Sequence, residues 1–238
     1  LGDVYKRQAH GSGRATREQY EQLGADLATN GFALLTYDKR GVGDSGGEYF
    51  GVGPGNAEEA FELLAADVLA GVEALAARPD IRGDQIGILG ISQGGWIAPL
   101  AATISDRVAF QVILSGTTVP VGDEIYYSEL TGERDGAEID DVELSAALAA
   151  FEGEPGHDPR TVLDAVDVPT LWILGSEDRS IPIPETVATL EELVAAGRPY
   201  TYHLLEGFGH GLRNAGSREP APTFPIIFQW LVTQAAPR

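Results

Sequence analysis

The sequence predicts an α/β fold: a mostly parallel sheet flanked by helices, with one cap insertion. Three observations predict it. Short apolar runs of strand length alternate with helical patterns of ten or more residues, the rhythm of βαβ units. The runs flanking the middle of the chain are apolar throughout, as strands covered on both faces are. The rhythm also breaks once, over residues 117–168, an acidic stretch without a convincing strand, and then resumes.

The elements follow in order. Residues 16–30 ("TREQYEQLGADLATN") set Tyr20, Leu23 and Leu27 at helical spacing and stop at Asn30-Gly31. "FALLTYD" (32–38) reads as a buried strand, and residues 56–78 as a long Ala/Leu/Glu helix that ends before Pro79. "QIGILGI" (85–91) is the next strand and 93–104 the helix after it. "VAFQVILSG" (108–116) and "TLWILGS" (170–176) are strands on either side of the break, within which 123–131 and 139–152 offer two short helices. A helix over 185–197, a strand "YTYHLLEG" (200–207) and a closing helix over 223–235 complete the chain. The expected organisation is a core of residues 9–116 and 169–238 with a cap of 117–168.

Bulk properties narrow the function. With 238 residues, 43% apolar and 22% charged, the chain suits one globular domain with a sizeable core. A formal charge of −20 argues against nucleic acid and anionic membrane surfaces as partners. No apolar run approaches the roughly 20 residues of a membrane span. The lack of cysteine excludes disulfides, thiolate chemistry and Cys-based metal sites. Lys6 and Lys39 are the only lysines, which points to a GC-rich genome or a salt-adapted source. Compartment and oligomeric state are not legible.

The first residues stand apart. The chain contains no methionine, and residues 3–8, "DVYKRQ", are the translation of GATGTGTATAAGAGACAG, which resembles a transposon mosaic end used in sequencing libraries. Residues 1–8 are therefore expected to be a non-native, adapter-derived segment, with the native sequence starting near Ala9. Lys6 and Arg7 would be out of place in a strand buried on both faces.

The chemistry centres on Gly90-Ile91-Ser92-Gln93-Gly94, a G-x-S-x-G sequence between an apolar strand and an amphipathic helix. A serine on so sharp a turn is lifted to the tip of the sheet, and the glycines leave room for close packing. The N–H of Gln93 then points to where an oxyanion would form, at a helix N-terminus. A serine hydroxyl needs a base. Of the four histidines, His10 precedes the elbow, His157 falls in the cap and His203 lies inside a strand. His210, in "EGFGHGL", sits in a glycine-flanked loop after the last strand and is the candidate base. The base needs a carboxylate to hold its tautomer; Asp178 in "GSEDRSIP" leaves a buried strand at the same sheet edge, with Glu177 as its rival.

With these motifs in this order, the chain resembles the α/β-hydrolase superfamily, in its bacterial esterase and serine-aminopeptidase-like branch. The resemblance rests on "HGSG" (10–13), "YDKRGVGDSGG" (37–47), "GISQGGWIAPLAA" (90–102), "GSEDRSIP" (175–182) and "GFGHGL" (207–212). It implies Ser92 as nucleophile, Asp178 as acid and His210 as base. It also implies a second oxyanion N–H from the His10-Gly11-Ser12 loop, placed at Ser12 with Gly11 and Gly13 as near rivals. Asp38 and Arg40 are expected to organise their loop through charge-assisted hydrogen bonds. The family's first two strands have no counterpart in this chain, and the third would fall on "DVYKRQ".

The expected activity is hydrolysis of a small-molecule carboxylic ester through an acyl-enzyme on Ser92, with no cofactor and no metal. Serine at the elbow argues against dienelactone hydrolases, which use cysteine, and haloalkane dehalogenases, which use aspartate. Aminopeptidases, thioesterases and perhydrolases share the triad and stay open. A non-catalytic ligand-binding relative and a fragment without function are the competing classes. "GVGDSGG" lacks both the lysine and the following helix of a phosphate loop.

Overall fold

A computed structural model of the chain describes residues 4–132 and 139–234. Six strands, β1 (Val4–Ala9), β2 (Phe32–Leu35), β3 (Ile86–Ile91), β4 (Phe110–Leu114), β5 (Thr170–Gly175) and β6 (Tyr200–Leu205), form one sheet in the order β2-β1-β3-β4-β5-β6. Every neighbouring pair is parallel. This is the α/β architecture expected from the sequence.

Helices cover both faces. One layer holds α2 (Ala57–Ala76), α3 (Gly94–Ile104), α6 (Arg160–Ala165) and α7 (Ile183–Ala195); the other holds α1 (Glu21–Thr29) and α8 (Thr223–Gln234). The continuous apolar strands follow from this, because successive side chains point to opposite faces and both faces are covered. Ile88, Trp172 and Leu174 pack beneath Phe61, Val68, Ile97 and Leu190, while Leu89, Leu171 and Ile173 pack beneath Leu27, Ile227 and Leu231. Trp172 and Phe61 are fully buried.

The strands end earlier than the sequence predicts. Tyr37 and Asp38 have already left β2, and Ser115 and Gly116 have left β4. These residues belong instead to loops that gather at one edge of the sheet. Within 117–168 the structure has α4 (Val121–Leu130) and α5 (Asp141–Ala149), close to the two expected helices, and α6, which the sequence reading did not resolve. The short α6 docks on the core: Leu163 is fully buried, and the Tyr200 hydroxyl donates to its carbonyl at 2.8 Å.

The backbone of residues 4–9 runs between β2 and β3. Lys6 is in register with Leu34 and Gly87, and Arg7 with Leu35 and Ile88. The chain thus crosses from β1 to β2 on one side and returns to β3 on the other. Between β1 and β3 lies the topological switch point, where α/β sheets leave a crevice beyond their carboxyl ends.

Candidate active site

Two loops leave the switch point side by side. Ala9, the last residue of β1, is in register with Gly90 near the end of β3. The chain then turns through Ser92 at φ 52°, a left-handed conformation that a non-glycine residue adopts at a cost of about 1–3 kcal/mol. Its amide donates to Leu114 O at 2.9 Å, which ties the turn to β4. The glycines around it are required by close approach. A Cβ at Gly90 would lie 2.6 Å from the carbonyl oxygen of Gly94, and one at Gly94 would lie 2.5 Å from that of Ala9.

The structure brings Ser92, His210 and Asp178 together. His210 Nε2 is 2.9 Å from Ser92 Oγ, and His210 Nδ1 is 2.9 Å and 3.1 Å from the two carboxylate oxygens of Asp178. An ionised carboxylate only accepts, so Nδ1 carries the proton and Nε2 is left to accept from the serine hydroxyl. The Asp178 side chain is fully buried, and its Oδ1 also accepts the amides of Ser180 at 2.8 Å and Ile181 at 3.1 Å. Glu177, the rival carboxylate, is exposed. The other histidines are occupied elsewhere. His10 packs against the rings of Tyr20 and Tyr37, His157 sits at 2.9 Å from Glu58 and edge-on to Phe61, and His203 is exposed on β6.

Several residues that hold this arrangement were not singled out from the sequence. Ser115, at φ 49° just past β4, donates its hydroxyl to the His210 carbonyl at 2.6 Å. Gly175, the last residue of β5, lets the histidine loop lie against the strand end: a Cβ there would be 2.1 Å from Phe208 O. Helix α4 and the residue that caps its end hold the acid loop: the Tyr127 hydroxyl donates to Asp178 O at 3.3 Å, and Thr131 donates to Arg179 O at 2.5 Å. Lys39 is buried beneath the elbow, with Nζ 2.7 Å from Gly11 O and 2.9 Å from Gln93 Oε1. The only local signals were a Ser-Gly pair and a lone lysine, neither of which specifies a contact.

Asp38 and Arg40 organise their loop. Asp38 accepts the Arg17 amide at 2.9 Å, the Asp44 amide at 2.8 Å and the Arg17 guanidinium at 3.2 Å. The Arg17 amide, followed by that of Asp44, holds its carboxyl below the usual carboxylate range. Arg40 makes a bidentate pair with Asp67 at 2.9 Å and 2.5 Å.

A cleft of about 210 Å³ opens over Ser92. Ser12 and Gln93 line it from the sheet side, Trp96 and Val52 from the flank, and Val121, Glu124, Ile125, Ser128 and Glu129 of α4 form its roof. Among the described residues no cluster of His, Asp or Glu is arranged to hold a metal ion.

The model of the prolyl oligopeptidase family matches residues 6–236. The chain belongs to the prolyl oligopeptidase family. This family member is an α/β-hydrolase-fold serine hydrolase. No curated protein matches its sequence. Solved structures share its fold at low identity. An esterase of Pyrococcus furiosus superposes with a TM-score of 0.69 at 18% identity, covering 98% of this chain and 83% of the esterase. Est1E of Butyrivibrio proteoclasticus, solved with ferulic acid bound, gives 0.66 at 19%, covering 98% and 90%. The acylaminoacyl peptidase of Pyrococcus horikoshii gives 0.67 at 19%, covering 97% of this family member but 37% of the peptidase.

Proposed function

We propose that the protein hydrolyses small carboxylic esters through an acyl-enzyme on Ser92. The observation that carries this reading is the unbroken relay from Asp178 through His210 to Ser92 at hydrogen-bond distances of about 3 Å beside a cleft. In the first half-reaction His210 Nε2 takes the Ser92 proton as Oγ attacks the ester carbonyl carbon. The resulting oxyanion is received by the amides of Gln93 and Ser12, near the N-terminus of α3. Collapse expels the alkoxide, which leaves with the proton from His210. A water then repeats the sequence on the acyl-enzyme and releases the acid. Asp178 stays ionised throughout, orienting the imidazole and stabilising its charged form. The apolar part of the cleft, Val52, Trp96, Val121 and Ile125, suits an acyl chain.

A second reading, hydrolysis of aminoacyl amides or esters, has two observations in its favour: the family match and the two carboxylates, Glu124 and Glu129, in the roof of the cleft. Such groups attract an ammonium. The experiment is a panel of p-nitrophenyl esters of increasing acyl length against aminoacyl p-nitroanilides, each run with wild type and Ser92→Ala. Ester turnover that Ser92→Ala abolishes, with anilides much slower, is the expected result. Preference for the anilides, weakened by Glu124→Gln or Glu129→Gln through KM, would establish the second reading instead. No Ser92-dependent turnover of either class would overturn both.

A further inference from the structure

We propose that Lys39 is a positioning residue for the oxyanion hole: its ammonium holds the Gly11–Ser12 peptide and the Gln93 side chain from behind, so that the receiving amides face the cleft. The inference rests on the serine-hydrolase reading of Ser92.

Lys39 is 4% exposed, and the bonds of its Nζ all go to neutral oxygens: Gly11 O at 2.7 Å, Gln93 Oε1 at 2.9 Å and Ser12 O at 3.4 Å. An ammonium has three donors, and burying one is tolerated only when they are used. Here they join two loops, one following β1 and the other β3, that are far apart in sequence. The Gly11 bond is the informative one. In a planar trans peptide the C=O and the next N–H point in opposite directions. With Gly11 O turned inward to Lys39, the Ser12 N–H of the same peptide is turned outward, and Ser12 lines the cleft over Ser92. A charged donor on the carbonyl also polarises the N–H at the other end of the peptide. The Tyr49 hydroxyl donates to Ser12 O at 2.7 Å, so the following carbonyl is held as well.

The charge matters beyond the contacts. Its nearest acidic neighbour in sequence, Asp38, is turned to Arg17 and the Asp44 amide. Lys39 therefore adds positive potential behind the site where negative charge develops, with no reorganisation needed. The titratable and charged groups beside it are Tyr49 of its own loop and, at the same ring, Arg14 of the loop after β1. Nζ is 5.7 Å from the Tyr49 ring centre, and the Arg14 guanidinium lies 4.6 Å from the same centre. Burial pushes the Lys39 ammonium down to about 8. Its charge is complete well below that pH and is lost as pH rises through it. Turnover should accordingly fall on the alkaline side.

The test compares wild type, Ser92→Ala and Lys39→Met in ester hydrolysis, in labelling by a fluorophosphonate and in inhibition by a trifluoromethyl ketone, which forms a tetrahedral adduct. Lys39→Met is expected to lower kcat by about 10- to 100-fold, somewhat less than loss of a direct oxyanion donor. KM should hardly change, the ketone should bind more weakly by the same factor as the loss in kcat/KM, and the alkaline limb should disappear. Should Lys39→Met fail to fold, the wild-type profile decides: a kcat that falls through about pH 8 with circular dichroism unchanged supports the inference. Wild-type kcat and ketone affinity in folded Lys39→Met, or a wild-type kcat flat through the alkaline range, would overturn it. A wild type that neither turns over esters nor is labelled at Ser92 overturns the serine-hydrolase reading itself, and with it any role for Lys39 in that reaction.

Discussion

Asp178 and Glu177 are adjacent carboxylates with the same intrinsic chemistry and opposite surroundings. Asp178 is buried, accepts two backbone amides and faces His210, while the Glu177 side chain stands in solvent. Asp178→Asn would offer an amide to Nδ1 and favour the wrong imidazole tautomer, at a cost of about 10⁴-fold in kcat where this has been done in such a triad. Glu177→Gln should leave kcat within a small factor of wild type. Equal losses in kcat/KM for the two variants would show that the acid had been assigned to the wrong residue. Ser92 and His210 were legible from the sequence because their signals are local: a glycine spacing at a strand-to-helix turn and a glycine-flanked loop. Lys39 and Ser115 were not, because each acts on a partner 54 or 95 residues away and nothing in its neighbours names that partner.

At the scale of elements, strand ends carry the site and their register sets its dimensions. The end of β5 must let Phe208 and its neighbours pass in contact with backbone, and Gly175 is the residue that allows it. Gly175→Ala would place a methyl 2.1 Å from Phe208 O and push the histidine loop outward. Because a displacement near 1 Å can cost about 100-fold in rate, activity should drop by at least that order while far-UV circular dichroism stays native. An active Gly175→Ala protein would mean that the loop is positioned by Ser115 and the acid loop without help from β5. The elements themselves were readable from hydrophobic period, since α2 and β3 each keep one pattern over their length. The limits of β2 and β4 were not, because the loop residues just past them, Asp38, Ser115 and Gly116, are as buried as the strand residues, so burial does not mark where the ladder ends. The same holds for α6, only six residues long, whose buried Leu163 reports on the core beneath it rather than on a helical stripe.

The whole molecule carries a formal charge of −20, with 36 acidic against 16 basic residues. Surface ion pairs such as Arg78–Asp80 and Arg160–Glu192 neutralise only part of that excess. Self-repulsion of like charge opposes the compact state and is screened by salt. The Debye length shrinks from about 30 Å at 0.01 M to about 3 Å at 1 M, so the Tm should rise by several degrees over that range. A Tm that is flat or falls with sodium chloride would show that repulsion is not a term in its stability.

What the sequence determined by itself is the class of fold, the order of its elements apart from β1 and α6, and the identities of Ser92, Asp178 and His210 as candidates. Each of these is written in short-range pattern: a continuous apolar run or a period of 3.6 residues, glycines flanking a sharp turn, a carboxylate just past a buried strand. Only the tertiary structure decided how those candidates meet. It set Ser12 and Gln93 on one cleft, turned the Gly11 carbonyl inward onto Lys39, closed the histidine loop over Gly175 and laid α4 across the top. The physical reason is that parallel strands bring together chain segments separated by crossovers of many residues. The contacts that position a reacting group are therefore made between residues whose local sequences hold no information about one another.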